Sequence, residues 1–335
     1  MIHLNLTSMI QNPLQCTDQY QSMIQYYQSK QEMVDATHNV DRVFHVLDQL
    51  FAIRSTIRNY GCTESLVYLY GENDMELSVE GLGEKIKEGW SAAVQYIKDL
   101  IKKIVNFIRS IFSRRKIEDK KIEEAQQKIS KDKTKIEIHL KEEQSKSPSL
   151  PPPSTKYFNE FFLRSVEREL SKIKVSELIT IYKEHTEHYA DILPKNGNQG
   201  FEDAVELMKQ TSDINDKVNN LEEECNRNKK ARRSADFATE CAKITKVCSS
   251  ILDIVDKQMQ DANKVIDCIN KTSWYGGIDR ECYESMLRSL ALITIHLRTI
   301  TRSIEGVRTF AKNVVFEAAV VIDRPIEDDI LFNEK

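Results

Sequence analysis

Helix breakers are scarce in this chain: ten glycines and seven prolines in 335 residues. Little therefore interrupts long helices, and abundant Glu, Lys, Gln and Leu favour them further. No apolar run approaches the roughly 20 residues a membrane span requires. The seven cysteines are scattered, with no Cys-x-x-Cys pair. The first thirteen residues carry no basic region followed by a long apolar stretch, so no secretion leader is expected, and reduced thiols in a cytosolic setting follow. The phosphate-cradling glycine loops of nucleotide enzymes, the Gly-x-Ser-x-Gly elbow of hydrolases and the His-Glu-x-x-His zinc motif are all missing. Neither a catalytic residue nor a cofactor or metal site is nominated by any motif. The expectation is a non-enzyme that acts through assembly or binding.

The net charge of −4 is also small, but it conceals a division. Residues 1–80 hold ten acidic side chains against four basic ones, a net of −6. Residues 81–146 hold seventeen basic side chains against eleven acidic ones, a net of +6, which leaves −4 for residues 147–335. An acidic head, a basic middle and a mildly acidic body form three electrostatic units.

The apolar pattern is helical throughout, and an all-α chain is expected. Met33, Val40, Val43, Phe44, Leu47, Leu50 and Phe51 recur at mostly three- and four-residue steps, so the head, 1–80, reads as an acidic helical segment. Leu66-Val67-Tyr68-Leu69-Tyr70 is rich in β-formers and reads as a strand or an extended docking piece. A long amphipathic basic helix is expected over 81–146. Its seam runs through Ile86, Trp90, Ile97, Leu100, Ile104, Phe107 and Ile111, close to a heptad repeat. Lys98, Lys102, Lys103, Arg109, Arg114, Arg115 and Lys116 supply its basic face. Pro148 and Pro151-Pro152-Pro153 make 147–155 a linker that no helix crosses. Helices near 157–172, 175–193, 201–230, 234–271 and 279–321 then compose an antiparallel bundle over 156–322, followed by an acidic tail, 323–335. Leu290, Ile293, Leu297, Ile300, Ile304, Val307 and Phe310 mark its clearest buried stripe.

Three local clusters have both a chemical and a bland reading. His185 and His188 share a helix face beside Glu184 and Asp191, yet without zinc-motif spacing they read as a polar surface turn. Cys241 and Cys248 share another face, where small buried hydrophobes are the default and no base is at hand to activate a nucleophile. Arg227 to Arg233 (RNKKARR) has the composition that neutralises phosphate backbones, and equally that of a solvated helix face.

The charge reverses at Ser78-Val79-Glu80-Gly81, where an acidic, turn-rich stretch meets a Gly-rich one. An exposed loop between two units is where proteases cut. This junction, with Gly83-Glu84-Lys85-Ile86-Lys87-Glu88-Gly89-Trp90 after it, resembles the inner-body (internal head) proteins of giant tailed bacteriophages. The resemblance covers about residues 60–113. It implies an acidic propeptide that directs the protein into the prohead core. It also implies cutting by the phage maturation protease after Ser-x-Glu, with Ser78 and Glu80 as recognition residues and Glu80–Gly81 as the scissile bond. The implied setting is the virion interior after synthesis in the host cytoplasm. The implied partners are other prohead core proteins, the protease and packaged DNA, bound without sequence preference. Ser165-Val166-Glu167 and Ser303-Ile304-Glu305 repeat the triplet, the latter inside the buried stripe. Cutting after Glu80 changes the remaining chain from −4 to +2. Two other readings fit the same residues. One is a membrane-active, pore-forming helical protein masked by its acidic head, since a basic helix carrying Trp90 and Phe107 suits a lipid interface. The other is an intracellular helical adaptor or effector that binds a host protein through 156–322.

Overall fold

The computed structural model describes residues 31, 34–45, 79–138, 150–188, 199–271 and 280–323, and among these there are eight helices and no strand. They are α1 (34–45), α2 (Val79–Lys131), α3 (133–138), α4 (Glu160–Lys172), α5 (Glu177–His188), α6 (Gln199–Asn228), α7 (Ala235–Lys271) and α8 (Arg280–Ile322). The all-α expectation holds, and the C-terminal helices match their expected segments to within a few residues. The possible strand at 66–70 lies outside the described residues.

Local chemistry sets several of these ends. Asn159 caps α4 by accepting the Phe162 N–H at 2.7 Å, and the Ser234 hydroxyl accepts the Phe237 N–H at 3.0 Å at the start of α7. A single non-helical residue, Asp132, separates α2 from α3.

Cross-helix contacts give the directions. Pairing of Lys98 with Asp267, Glu123 with Lys246 and Lys133 with Asp236 makes α2–α3 antiparallel to α7. Pairing of Glu118 with Arg308 and Lys128 with Asp323 makes α2 parallel to α8. Ser303 donates to Glu222 and Arg233 pairs with Glu317, so α6 also runs with α8. Glu169 to Lys217 sets α4 against α6. The long helices α4, α6, α7 and α8 therefore alternate in direction, as an up-and-down bundle requires. The basic helix α2 packs along both α7 and α8 and shares their core.

Three features bear on the three expected electrostatic units. First, α2 packs in the protein's own core: Ile97, Ile101, Ile104 and Ile108 are buried with the C-terminal stripe. A seam of this kind buries apolar area against whichever helices are nearest, and here α7 and α8 supply them. Second, Val40 and Phe44 of the acidic head are wholly buried in that core too, with the Arg288 guanidinium 5.1 Å from the centre of the Phe44 ring. Third, residues 150–158 are not a loose spacer. The Arg232 N–H donates to the Pro151 carbonyl at 2.8 Å, and Asn228 both accepts from the Ser154 N–H and donates to its carbonyl, each at 2.8 Å.

The carboxylate of Glu224 completes that attachment. It accepts the backbone N–H groups of Lys156 and Phe158, each at 2.8 Å, that of Tyr157, and the Ser154 hydroxyl. A proline-rich segment entering a helix leaves backbone donors without partners, and one buried acid on α6 collects them. Burial pushes the Glu224 carboxyl up. The Ser154 hydroxyl and the three N–H groups outweigh it and hold the group below the usual carboxylate range.

Candidate functional site

The junction at residues 78–81 coincides with the start of α2. Ser78 lies outside the described residues, whereas Val79, Glu80 and Gly81 form the first helical turn. The expected exposed loop is thus helical from Val79 onward, two residues ahead of the expected start. A protease needs extended backbone, so cutting at Glu80–Gly81 requires this turn to unwind. That unwinding is inexpensive at a helix end, where the first N–H groups have no intrahelical acceptors. The other two triplets sit deeper. Val166, between Ser165 and Glu167, is buried within α4, and Ser250 and Arg164 both donate to Glu167. Ser303 and Ile304 are buried in α8.

Five of the seven expected seam residues of α2 have described side chains. Ile97, Leu100 and Ile104 are buried, and Phe107 and Ile111 are half-buried against the core. Ile86 and Trp90 lie in α2, their side chains outside the described set. The basic face divides. Lys102, Lys103 and Arg109 are exposed, Lys98 pairs with Asp267 at 3.3 Å, and the side chains of Arg114 and Lys116 are outside the described set. Arg115 does not belong to that face. It is buried, donating from Nη1 to the Ser249 carbonyl at 3.1 Å and from Nη2 to Asp253. Its position, between Ile111 and Ile122 on the core-facing side, turns it inward.

Arg115 belongs to a charge network that sequence reasoning missed. At its centre Arg308 is 1% exposed. Its Nη1 lies 3.1 Å from Glu118 and 3.5 Å from Glu305, its Nη2 lies 2.8 Å from Asp119, and its Nε donates to the Ser249 hydroxyl at 3.2 Å. Lys312 adds a second cation 3.0 Å from Glu118. Burial pushes the Glu118 carboxyl up, but Lys312 and Arg308 outweigh it and hold it low. Burial pushes the Glu305 carboxyl up and prevails there, Arg308 opposing it only in part. A five-donor guanidinium fits this many acceptors where an ammonium does not. An apolar seam tolerates sliding by a heptad, whereas these pairs exist in one register only. The network therefore sets how α2 sits on α7 and α8. One signal for it was present in the sequence: Arg308 interrupts the stripe between Val307 and Phe310.

Among the described residues the cysteines show no reactive arrangement. Cys225, Cys241 and Cys248 are buried and free. Burial pushes the Cys225 thiol up to about 12 and the other two well above their ordinary value. Thiols held so far from the thiolate form are poor nucleophiles. In the native protein all three are expected to resist alkylation at pH 8, and to react once denaturant is added, as mass spectrometry of the labelled chain would show. The side chains of His185 and His188 lie outside the described set, and among the described residues no three His, Cys, Asp or Glu side chains converge as a metal site would need. Among the described residues no helix is long and apolar enough to cross a membrane. No protein-family model matches the chain, and no curated protein or solved structure gives a significant match.

Proposed function

We propose that this protein is an internal head structural protein of a tailed bacteriophage, built into the prohead core, trimmed after Glu80 and packed with DNA. One coincidence carries the reading. The net charge changes sign at residue 80, within the first described turn of α2. Every described helix from Val79 to Ile322 shares one core. Upstream of it, the described residues buried in that core are Val40 and Phe44. Loss of residues 1–80 removes a net −6 together with the α1 contacts, Val40 and Phe44 among them, and α2 keeps its seam and the Arg115–Arg308 network on α7 and α8. The processed chain would keep its bundle and gain a positive balance suited to a DNA-filled compartment.

The pore-forming alternative is harder to sustain. It needs Ile97, Ile101, Ile104 and Ile108 to leave the core, and Arg115 to abandon Asp253.

Mass spectrometry of the N-terminus of the protein from mature particles is expected to find Gly81 first. A chain that still begins at Met1 would end the proposal. A Glu80→Gln variant is expected to stay uncut in maturing particles, because the protease motif loses its charge. Normal trimming of that variant would remove Glu80 from its assigned role.

A further inference from the structure

Two basic stretches that are remote in sequence meet at one end of the bundle. The first is the end of α2 with α3, and the second is the turn between α6 and α7 that carries RNKKARR. Lys133 pairs with Asp236 at 3.3 Å, and Glu137 on α3 accepts the Ala235 N–H at 3.1 Å. Arg233 reaches Glu317 at 3.5 Å and Lys128 reaches Asp323 at 3.0 Å. Those contacts place α3, the turn and the end of α8 side by side. They engage the carboxylates of Asp236, Glu137, Glu317 and Asp323. Lys131, Lys135, Arg227, Lys230 and Arg232 are all exposed, no ion pair joins any of them to a described residue, and they outnumber the neighbouring acids Asp132 and Glu223. The Pro151 carbonyl fixes the backbone of Arg232, so the turn presents its side chains from a held position.

We infer that this end of the bundle, where α3 meets the α6–α7 turn, is a binding surface for the phosphate backbone of duplex nucleic acid. Five cations on a rigid support, in a chain whose total charge is −4, make a local field rather than a general one. Lys and Arg side chains of this kind neutralise phosphates and release counterions without reading bases. A lipid surface fits less well. Interfacial binding draws on a contiguous apolar face, whereas Leu150, Phe161 and Val320, the exposed large hydrophobics toward this end, come from three separate elements. The inference deepens the head-interior reading by naming the surface that meets DNA. It stands on a different observation from the cleavage, so either can fail alone.

Fluorescence anisotropy of the full chain with a labelled 30-base-pair duplex tests it. With about five phosphate contacts, the log–log slope of affinity against salt is expected near −4, so affinity falls roughly 10²- to 10³-fold between 50 and 200 mM salt. The Lys131→Ala, Lys135→Ala, Lys230→Ala, Arg232→Ala variant is expected to lose most binding and to flatten the slope by about 3 to 4. A control variant of Lys172→Ala, Lys183→Ala and Lys209→Ala, toward the other end, is expected to change little. Helicity by circular dichroism should match in all three proteins. The inference is overturned by salt-independent binding, by equal loss in both variants, or by tighter binding to phosphatidylserine-containing vesicles than to the duplex.

Discussion

Replacing Arg308 with methionine is expected to destabilise the protein by about 3–5 kcal/mol, the usual consequence of removing one partner from a buried ionic network. Thermal unfolding followed by circular dichroism should show the midpoint fall by roughly 5–10 °C. The volume change is small. The loss comes instead from Glu118, Asp119 and Glu305, which lose their shared cation while remaining only partly exposed to water. Arg308→Lys is expected to recover only part of the loss, because one ammonium does not reach all these acceptors and the Ser249 hydroxyl. Adding Glu305→Gln to Arg308→Met is expected to recover stability relative to the single variant. Burial already opposes ionisation of Glu305, and its Oε2 has no hydrogen-bond partner. If Arg308→Met melts with the parent, the network does not hold α2 in place. Retention of α2 on the bundle after trimming would then rest on its apolar seam alone.

Glu224→Leu should be comparably costly, at about 3–5 kcal/mol. It leaves three backbone N–H groups and the Ser154 hydroxyl without an acceptor, and each orphaned buried donor costs about 1–3 kcal/mol before relaxation lets water in. Amide exchange at Lys156, Tyr157 and Phe158 should accelerate far more than in the α8 core, because the damage is local to the docked segment. The wild-type protein should also show the interaction as a pH effect. The carboxyl of Glu224 lies below its unfolded value, so its contribution is fully present above the unfolded value of about 4.3 and is lost as pH falls through the lower folded value. Stability of the wild type should therefore drop more steeply from pH 5 to pH 3 than that of Glu224→Gln, which does not titrate. Glu118, also held low, contributes in the same direction and remains in both proteins, so the difference is partial. Parallel acid slopes in the two proteins would show that Glu224 does not hold the segment as a charged acceptor.

These two residues mark the limit of what the amino-acid pattern reveals. The seam from Ile97 to Ile111 and the stripe from Leu290 to Phe310 declare themselves, because apolar side chains at three- and four-residue steps can share a face only on a helix. Breaks at the α6–α7 turn and before α4 follow from caps and prolines acting within a few residues, whereas the break at Asp132, inside the single helix expected over 81–146, has no such local signal. The charge reversal at Glu80 is likewise a property of order along the chain and needs no fold to be seen.

What the pattern leaves open is which helix covers which face. A heptad seam is satisfied by a partner protein, a lipid surface or its own bundle, since the apolar term depends on area and hardly on identity. Tertiary structure chose α7 and α8, and by doing so turned Arg115 from one basic residue among several into a buried anchor. It also turned the proline-rich stretch from a spacer into a segment fastened by Glu224 and Asn228. Hydrogen bonds and ion pairs act over a few ångströms between residues far apart in sequence. Only the folded chain brings Glu118 to Arg308, or Lys135 to Arg232, and so decides which charges pair inside and which remain outside to meet a partner.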